Sequence, residues 1–179
     1  FRVSGLPDFQ KGRDLTRCII DALLENNQTL MDGDILVIAH KVVSKTEGAY
    51  VYLDDITPGE QAIELAKSVN KDPRKVEVIL SQSNKIVRAI KRPEQEEGVL
   101  IAQHKRGYIC ANAAVDESNA DTPGQLILLP DDPDQSAQEI CQKLEDYFGC
   151  SLGVVISDTF GRPWRLGQPN VAIGLANVP

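Results

Sequence analysis

Apolar positions follow two spacings along this chain. Residues 35–39, 152–156 and 171–176 are almost continuously aliphatic for the length of a strand, which suits strands buried on both faces. Elsewhere apolar residues recur every three or four positions. Leu15, Cys18, Ile19, Ala22 and Leu23 form one helical face opened by Asp14, and Ile63, Ala66 and Val69 form another behind Thr57-Pro58-Gly59-Glu60. Ile140, Leu144 and Tyr147 give a third helix, residues 135–147, with acids at its start and Gly149 at its end. The longest stripe joins Val76, Ile79, Leu80, Ser83, Ile86, Val87 and Ile90, and it predicts a single helix over residues 73–91. Shorter strands are predicted at 50–53, 99–104, 107–111 and 125–129, with His104 facing solvent in a basic turn and an exposed loop at 92–98.

Helices and strands therefore mix without regular alternation. The predicted class is α+β, with mixed sheets, flanking helices and a smaller helical lobe over residues 57–91.

Two of the buried runs stop abruptly in polar residues, and these ends carry the candidate chemistry. Ser157, Asp158 and Thr159 follow the 152–156 run at once, placing a carboxylate and two hydroxyls at the end of a stiff element. Hard oxygens of this kind suit Mg2+ or Mn2+, which take one or two carboxylates together with phosphates and water. Arg162 and Arg165 come next, and their guanidinium forks match phosphate or carboxylate groups. The plainer alternative is a strand, an Asx turn at Asp158 and surface ion pairs. The 35–39 run ends in His40 and Lys41, with Ser44 and Lys45 just beyond, where open sheets bind ligands and where a lysine can neutralise a phosphate. Solvated lysines and a hydrogen-bonded strand-end histidine would also fit that pattern. The glycine spacing of a Walker loop is missing. In CANAAVDESNA, small residues precede Asp116, Ser118 and Asn119, which could hold a cation and a polar ligand edge, or form an ordinary side-chain-stabilised turn.

Composition narrows the choices. At 179 residues the chain can bury a core without staples. Its net charge of −7 argues against general nucleic-acid or anionic-membrane binding. No apolar run approaches the ~18 residues of a membrane span. Cys18, Cys110, Cys141 and Cys150 lack paired metal-ligand spacing and read as reduced thiols of a cytoplasmic protein. The first residue is not Met, so a longer chain is expected.

Taken in order, GLP near the start, GDILVIAHKVVSKTEG, ANAAVDESN, LLPDDPD with its helix, and VVISDTFGRPWRLGQ followed by VAIG strongly resemble the coenzyme F(420)-0:L-glutamate ligases, the CofE family. The resemblance spans nearly all of residues 1–179. It implies a GTP-dependent ligase that adds L-glutamate to a deazaflavin coenzyme through an acyl phosphate, with Mg2+ or Mn2+ and K+, as a homodimer. Carried onto matching positions, Asp116, Asp158 and Thr159 would bind divalent ions. Gly5, Leu6, Pro7, Asp8, His40, Lys41, Lys45 and Asn119 would contact GTP, and Arg162 and Arg165 are candidate substrate contacts. Family members extend past the position of Pro179, so the family fold is expected here without its C-terminal part. A metal-dependent phosphohydrolase or NTPase, and a non-catalytic nucleotide-binding module, are the alternative readings.

Overall fold

The computed structural model describes residues 1–161 and 167–178. The protein is α+β: among the described residues, five α-helices accompany three small sheets. None of these helices is long and apolar enough to cross a membrane. The chain divides into two compact units, Phe1–Ala49 with Leu129–Asp158 and Asn170–Pro179, and Tyr50–Leu128 with Thr159–Pro169.

The first unit holds α1 (Leu15–Glu25), β1 (Ile35–Ala39), α2 (His40–Glu47), α5 (Pro133–Phe148), most of β7 (Gly153–Thr159) and β8 (Asn170–Ala176). Helix α1 starts where Asp14 accepts a hydrogen bond from the Arg17 amide at 3.0 Å, and its inward face is Leu15, Ile19, Ile20 and Leu23. Helix α5 starts at Pro133 behind an Asp132 cap and ends at Gly149, which takes φ 67°. Both devices satisfy or avoid the orphan groups of a helix end. The sheet order is β1-β7-β8, with β1 and β7 parallel. Leu36, Val154, Ile38 and Ile156 share one face, and Val154 and Ile156 are wholly buried there. On the opposite face Ile35 and Val37 stay largely exposed, and no described strand pairs with the outer edge of β1. Gly174 of β8 lies so close to the Pro133 carbonyl that a Cβ would overlap it, and the Leu175 amide donates to Asp134 at 2.9 Å.

The second unit packs α3 (Glu60–Val69) and α4 (Pro73–Ser81) around Ala66, Val69, Val76, Ile79, Leu100 and Ala102. Strands β3 (Ser83–Ile90), β4 (Val99–His104) and β5 (Ile109–Ala111) form an antiparallel sheet, and β2 (Tyr50–Tyr52) pairs antiparallel with β6 (Gln125–Ile127).

The single helix expected over 73–91 is therefore a helix followed by a strand. The Ser83 hydroxyl donates to the Ile79 carbonyl at 2.6 Å, closing the last turn of α4. Two register shifts in β3, between Ser83 and Lys85 and between Ile86 and Arg88, reset the alternation of its side chains. The half-buried positions of β3 are consequently Ser83, Ile86 and Ile90, three and four residues apart. A bulged strand has imitated helical spacing. His104 is also corrected: it is 4% exposed, and its Nδ1 accepts the Arg106 amide at 3.1 Å.

Candidate functional site

Parallel pairing sets the candidate site of the first unit. Ala39 stands opposite Ser157, so β1 and β7 bring their carboxyl ends to one edge of the sheet, the edge at which such sheets bind ligands. β7 runs on through Asp158 and Thr159, so the polar trio is strand rather than the turn after it. Across the same edge β1 turns at once into α2, whose first residue is His40. The sequence pattern gave no warning of this helix, because only eight residues separate Ala39 from the left-handed Gly48.

His40 is 2% exposed. Its Nδ1 lies 3.3 Å from Ser44 Oγ, one turn along α2, and its Nε2 lies 3.2 Å from Asp158 Oδ1. Both ring nitrogens of His40, a residue expected to contact GTP, therefore lie beside protein atoms. Ala39 offers no side chain to cap α2, so the positive end of the helix dipole and its first amides belong to the same edge. Lys41 and Lys45 are half-buried on the first two turns of the helix. Acid, amides and lysines at one edge make a suitable place for a metal-bound phosphate chain.

Residues 5–8 form an irregular segment in the same unit. Gly5 takes φ 84°, the Ser4 carbonyl accepts from Asn26 Nδ2 at 3.0 Å, and Phe9 is buried behind. Gly5 and Leu6 rim a cleft of about 750 Å³ that β1 also lines. Pro7 is half-buried and Asp8 exposed.

The second unit carries Asp116 and Asn119 on a differently built loop. Asn112, Ala113 and Ala114 take φ of 51°, 50° and 57°, three successive left-handed residues. For L-residues this costs about 1–2 kcal/mol each. The small side chains read from sequence as room for a ligand also serve this backbone, since Ala113 is 1% exposed. Asn112 helps to hold the turn by accepting the Leu100 amide at 3.3 Å. Asp116 then pairs main chain to main chain with Ile127, at 3.0 and 2.8 Å. Its Oδ1 accepts the Ser118 amide at 2.6 Å, and Asn119 adopts φ 62°.

Between Asp116 and Ser118, Glu117 reaches Lys75 of α4 at 2.8 Å. Lys75 also meets Glu97 at 3.2 Å, and Glu97 meets Lys71 at 2.7 Å. Burial opposes the charge of Lys75, but hydrogen bonds and attraction from Glu117 and Glu97 outweigh it and raise its pKa above the ordinary lysine value. Glu97 is desolvated too, yet bonds from Lys71 and Lys75 hold its carboxyl below the usual range. Sequence reasoning missed this anchor, because nothing in the helical spacing of α4 marks Lys75 as a partner of the loop.

The donor set fits a hard divalent ion. Among the described residues no group of three or more His, Cys, Asp or Glu side chains gathers into a metal cage. Mg2+ and Mn2+ do not require one when phosphates and water complete their shell. Arg162 and Arg165 lie outside the described residues.

Residues 5–179 match the family described as F420-0:Gamma-glutamyl ligase. The chain is 42% identical over 176 residues to the coenzyme F420:L-glutamate ligase of Methanothermobacter thermautotrophicus, covering 98% of this chain and 67% of that one. It is 48% identical over 157 residues to the Methanopyrus kandleri enzyme of that name, covering 88% and 60%. With the Methanocaldococcus jannaschii enzyme the identity is 39% over 173 residues, covering 97% and 65%. The chain spans about two thirds of the length of these relatives.

Proposed function

The chain belongs to the F420-0:gamma-glutamyl ligase family, and from that premise we propose that it uses GTP to join L-glutamate to the deazaflavin coenzyme F(420)-0. The observation carrying this reading is the shared edge of β1 and β7, where Asp158, the start of α2 and Lys41 come together. Asp116, Asp158 and Thr159 are each proposed as ligands of Mg2+ or Mn2+, and K+ would assist as a monovalent ion. When bound, the divalent ion neutralises phosphate charge. Lys41, Lys45 and the first amides of α2 would hold the phosphates, while Gly5 to Asp8 and Asn119 would hold the rest of the nucleotide. Arg162 and Arg165 are proposed to orient the acidic substrates.

In the first step an oxygen of the coenzyme carboxylate attacks the γ-phosphorus of GTP, the bond to the β,γ-bridging oxygen breaks, and GDP leaves. In the second, the neutral amine of glutamate attacks the acyl carbon, the bond to the phosphate oxygen breaks, and the amine proton passes to solvent. Neither step needs a covalent nucleophile from the protein. The work is positioning and charge neutralisation. The acting species is proposed to be a cytoplasmic homodimer.

The test is incubation with GTP, Mn2+, L-glutamate and the deazaflavin acceptor, with products read by mass spectrometry. One GDP and one phosphate per glutamylated coenzyme support the reading. Phosphate release that ignores glutamate and acceptor would overturn it in favour of an NTPase, and nucleotide binding without turnover would favour a binding module.

A further inference from the structure

We propose that His40 is itself a ligand, supplying Nε2 to the divalent ion at Asp158, and that this nitrogen tilts the site toward Mn2+ over Mg2+. The inference rests on the reading of Asp158 given above and assigns His40 a role other than the GTP contact implied by family resemblance.

The starting point is an unsatisfied atom. His40 Nε2 is buried and has no aligned hydrogen-bond partner among the described residues. Such atoms are rare in folded proteins and call for a cause. Asp158 Oδ1 is near enough, at 3.2 Å, but it does not lie where an N–H on Nε2 would point. A cation on the lone-pair axis of the ring accounts for both facts. Two donors each about 2.1 Å from an ion, at right angles around it, stand about 3 Å apart with neither aimed at the other.

The other side of the ring is consistent with this arrangement. Ser44 Oγ, wholly buried, is 3.3 Å from Nδ1. If Nδ1–H donates to Ser44, the proton sits on the far nitrogen and Nε2 keeps its lone pair, open to a cation beside Asp158. Metal-binding histidines are usually oriented in this way, by a hydrogen bond from the second nitrogen. If instead Nε2 carried the proton as a donor to Asp158, alignment would be expected, and it is missing. The strand register makes the pairing rigid: His40 and Asp158 directly follow Ala39 and Ser157, which are paired across β1 and β7. A carboxylate oxygen alone suits Mg2+. Adding an imidazole favours transition ions.

The experiment uses the intact chain loaded with Mn2+ alone, read by electron spin-echo modulation with 15N-labelled histidine. Because the sequence has only two histidines, His40 and His104, assignment is direct. Nitrogen coupling is expected in the wild type and in His104→Gln, and is expected to vanish in His40→Gln. In parallel, titration should show the Mn2+ to Mg2+ affinity ratio falling at least about tenfold in His40→Gln, the scale on which metal sites respond to loss of support. Should His40→Gln fail to fold, coupling retained in His104→Gln still assigns the nitrogen to His40. Bound Mn2+ without histidine coupling overturns the inference and leaves Asp158 as a carboxylate site. Absence of Mn2+ binding in the wild type overturns both.

Discussion

The two places that carry candidate metal ligands are built on opposite principles. Asp158 lies next to the end of an extended strand of ordinary backbone, directly after the last residue paired in parallel with β1, and its neighbour His40 is sealed from water. Asp116 follows three left-handed residues, and the side chains just beyond it, Glu117 to Asn119, are exposed. It is tied down by its main-chain pairing with Ile127 and by the reach of Glu117 to Lys75. Regular structure places the first candidate at little local cost. The second depends on strain held by its surroundings, which makes it the more sensitive to mutations that do not touch a ligand.

That contrast can be broken at its strongest point first. Asp158→Asn should leave the fold intact and lower glutamylated product formation by at least about 100-fold, since even supporting residues of metal sites cost 10–100-fold; near-normal turnover would remove Asp158 from the site. Next, Ala113→Val places a branched side chain in a buried, left-handed position. It should lower unfolding free energy by about 3 kcal/mol in a urea titration, whereas Ala172→Val, on exposed backbone of β8, should change it by less than about 0.5 kcal/mol. Equal effects would mean that the left-handed turn is not under strain.

Lys75→Met tests the anchor. Because Glu97 and Glu117 are about half exposed, the loss should be about 1–2 kcal/mol, between the surface and buried limits for ion pairs. Hydrogen exchange should quicken at the amides of Glu117 to Asn119 while those of β7 keep their protection. The smallest effect concerns pH. Burial, then Arg106 and Lys105, lower the pKa of His104 below its ordinary 6.5. The unfolded chain therefore takes up this proton more readily, so the stabilising contribution is present above about 6.5 and is lost as pH falls through the lower folded value. Urea midpoints at pH 7.5 and 5.5 should differ more in the wild type than in His104→Gln.

The same contrast governs what could be read from sequence. Helices α1 and α5 were legible because Asp14 at one, and Asp132 with Gly149 at the other, mark their limits in residue types with known backbone consequences. Strands β1 and β7 were legible as aliphatic runs. Their register, and hence the meeting of His40 with Asp158, was not, because pairing joins residues more than a hundred positions apart. In β3 the bulges disguised a strand as helix. In residues 112–114 no composition rule announces successive left-handed residues when two of them are alanine.

The outer edge of β1 has a consequence for handling the protein. Ile35 and Val37, 57% and 63% exposed, stand beside a strand edge that no described strand covers. An uncapped, sticky edge invites another chain to add a strand, and in a concentrated preparation that means loss by aggregation, not by unfolding. Clouding should then follow protein concentration at temperatures well below the melting transition, and a Val37→Lys gatekeeper should delay it.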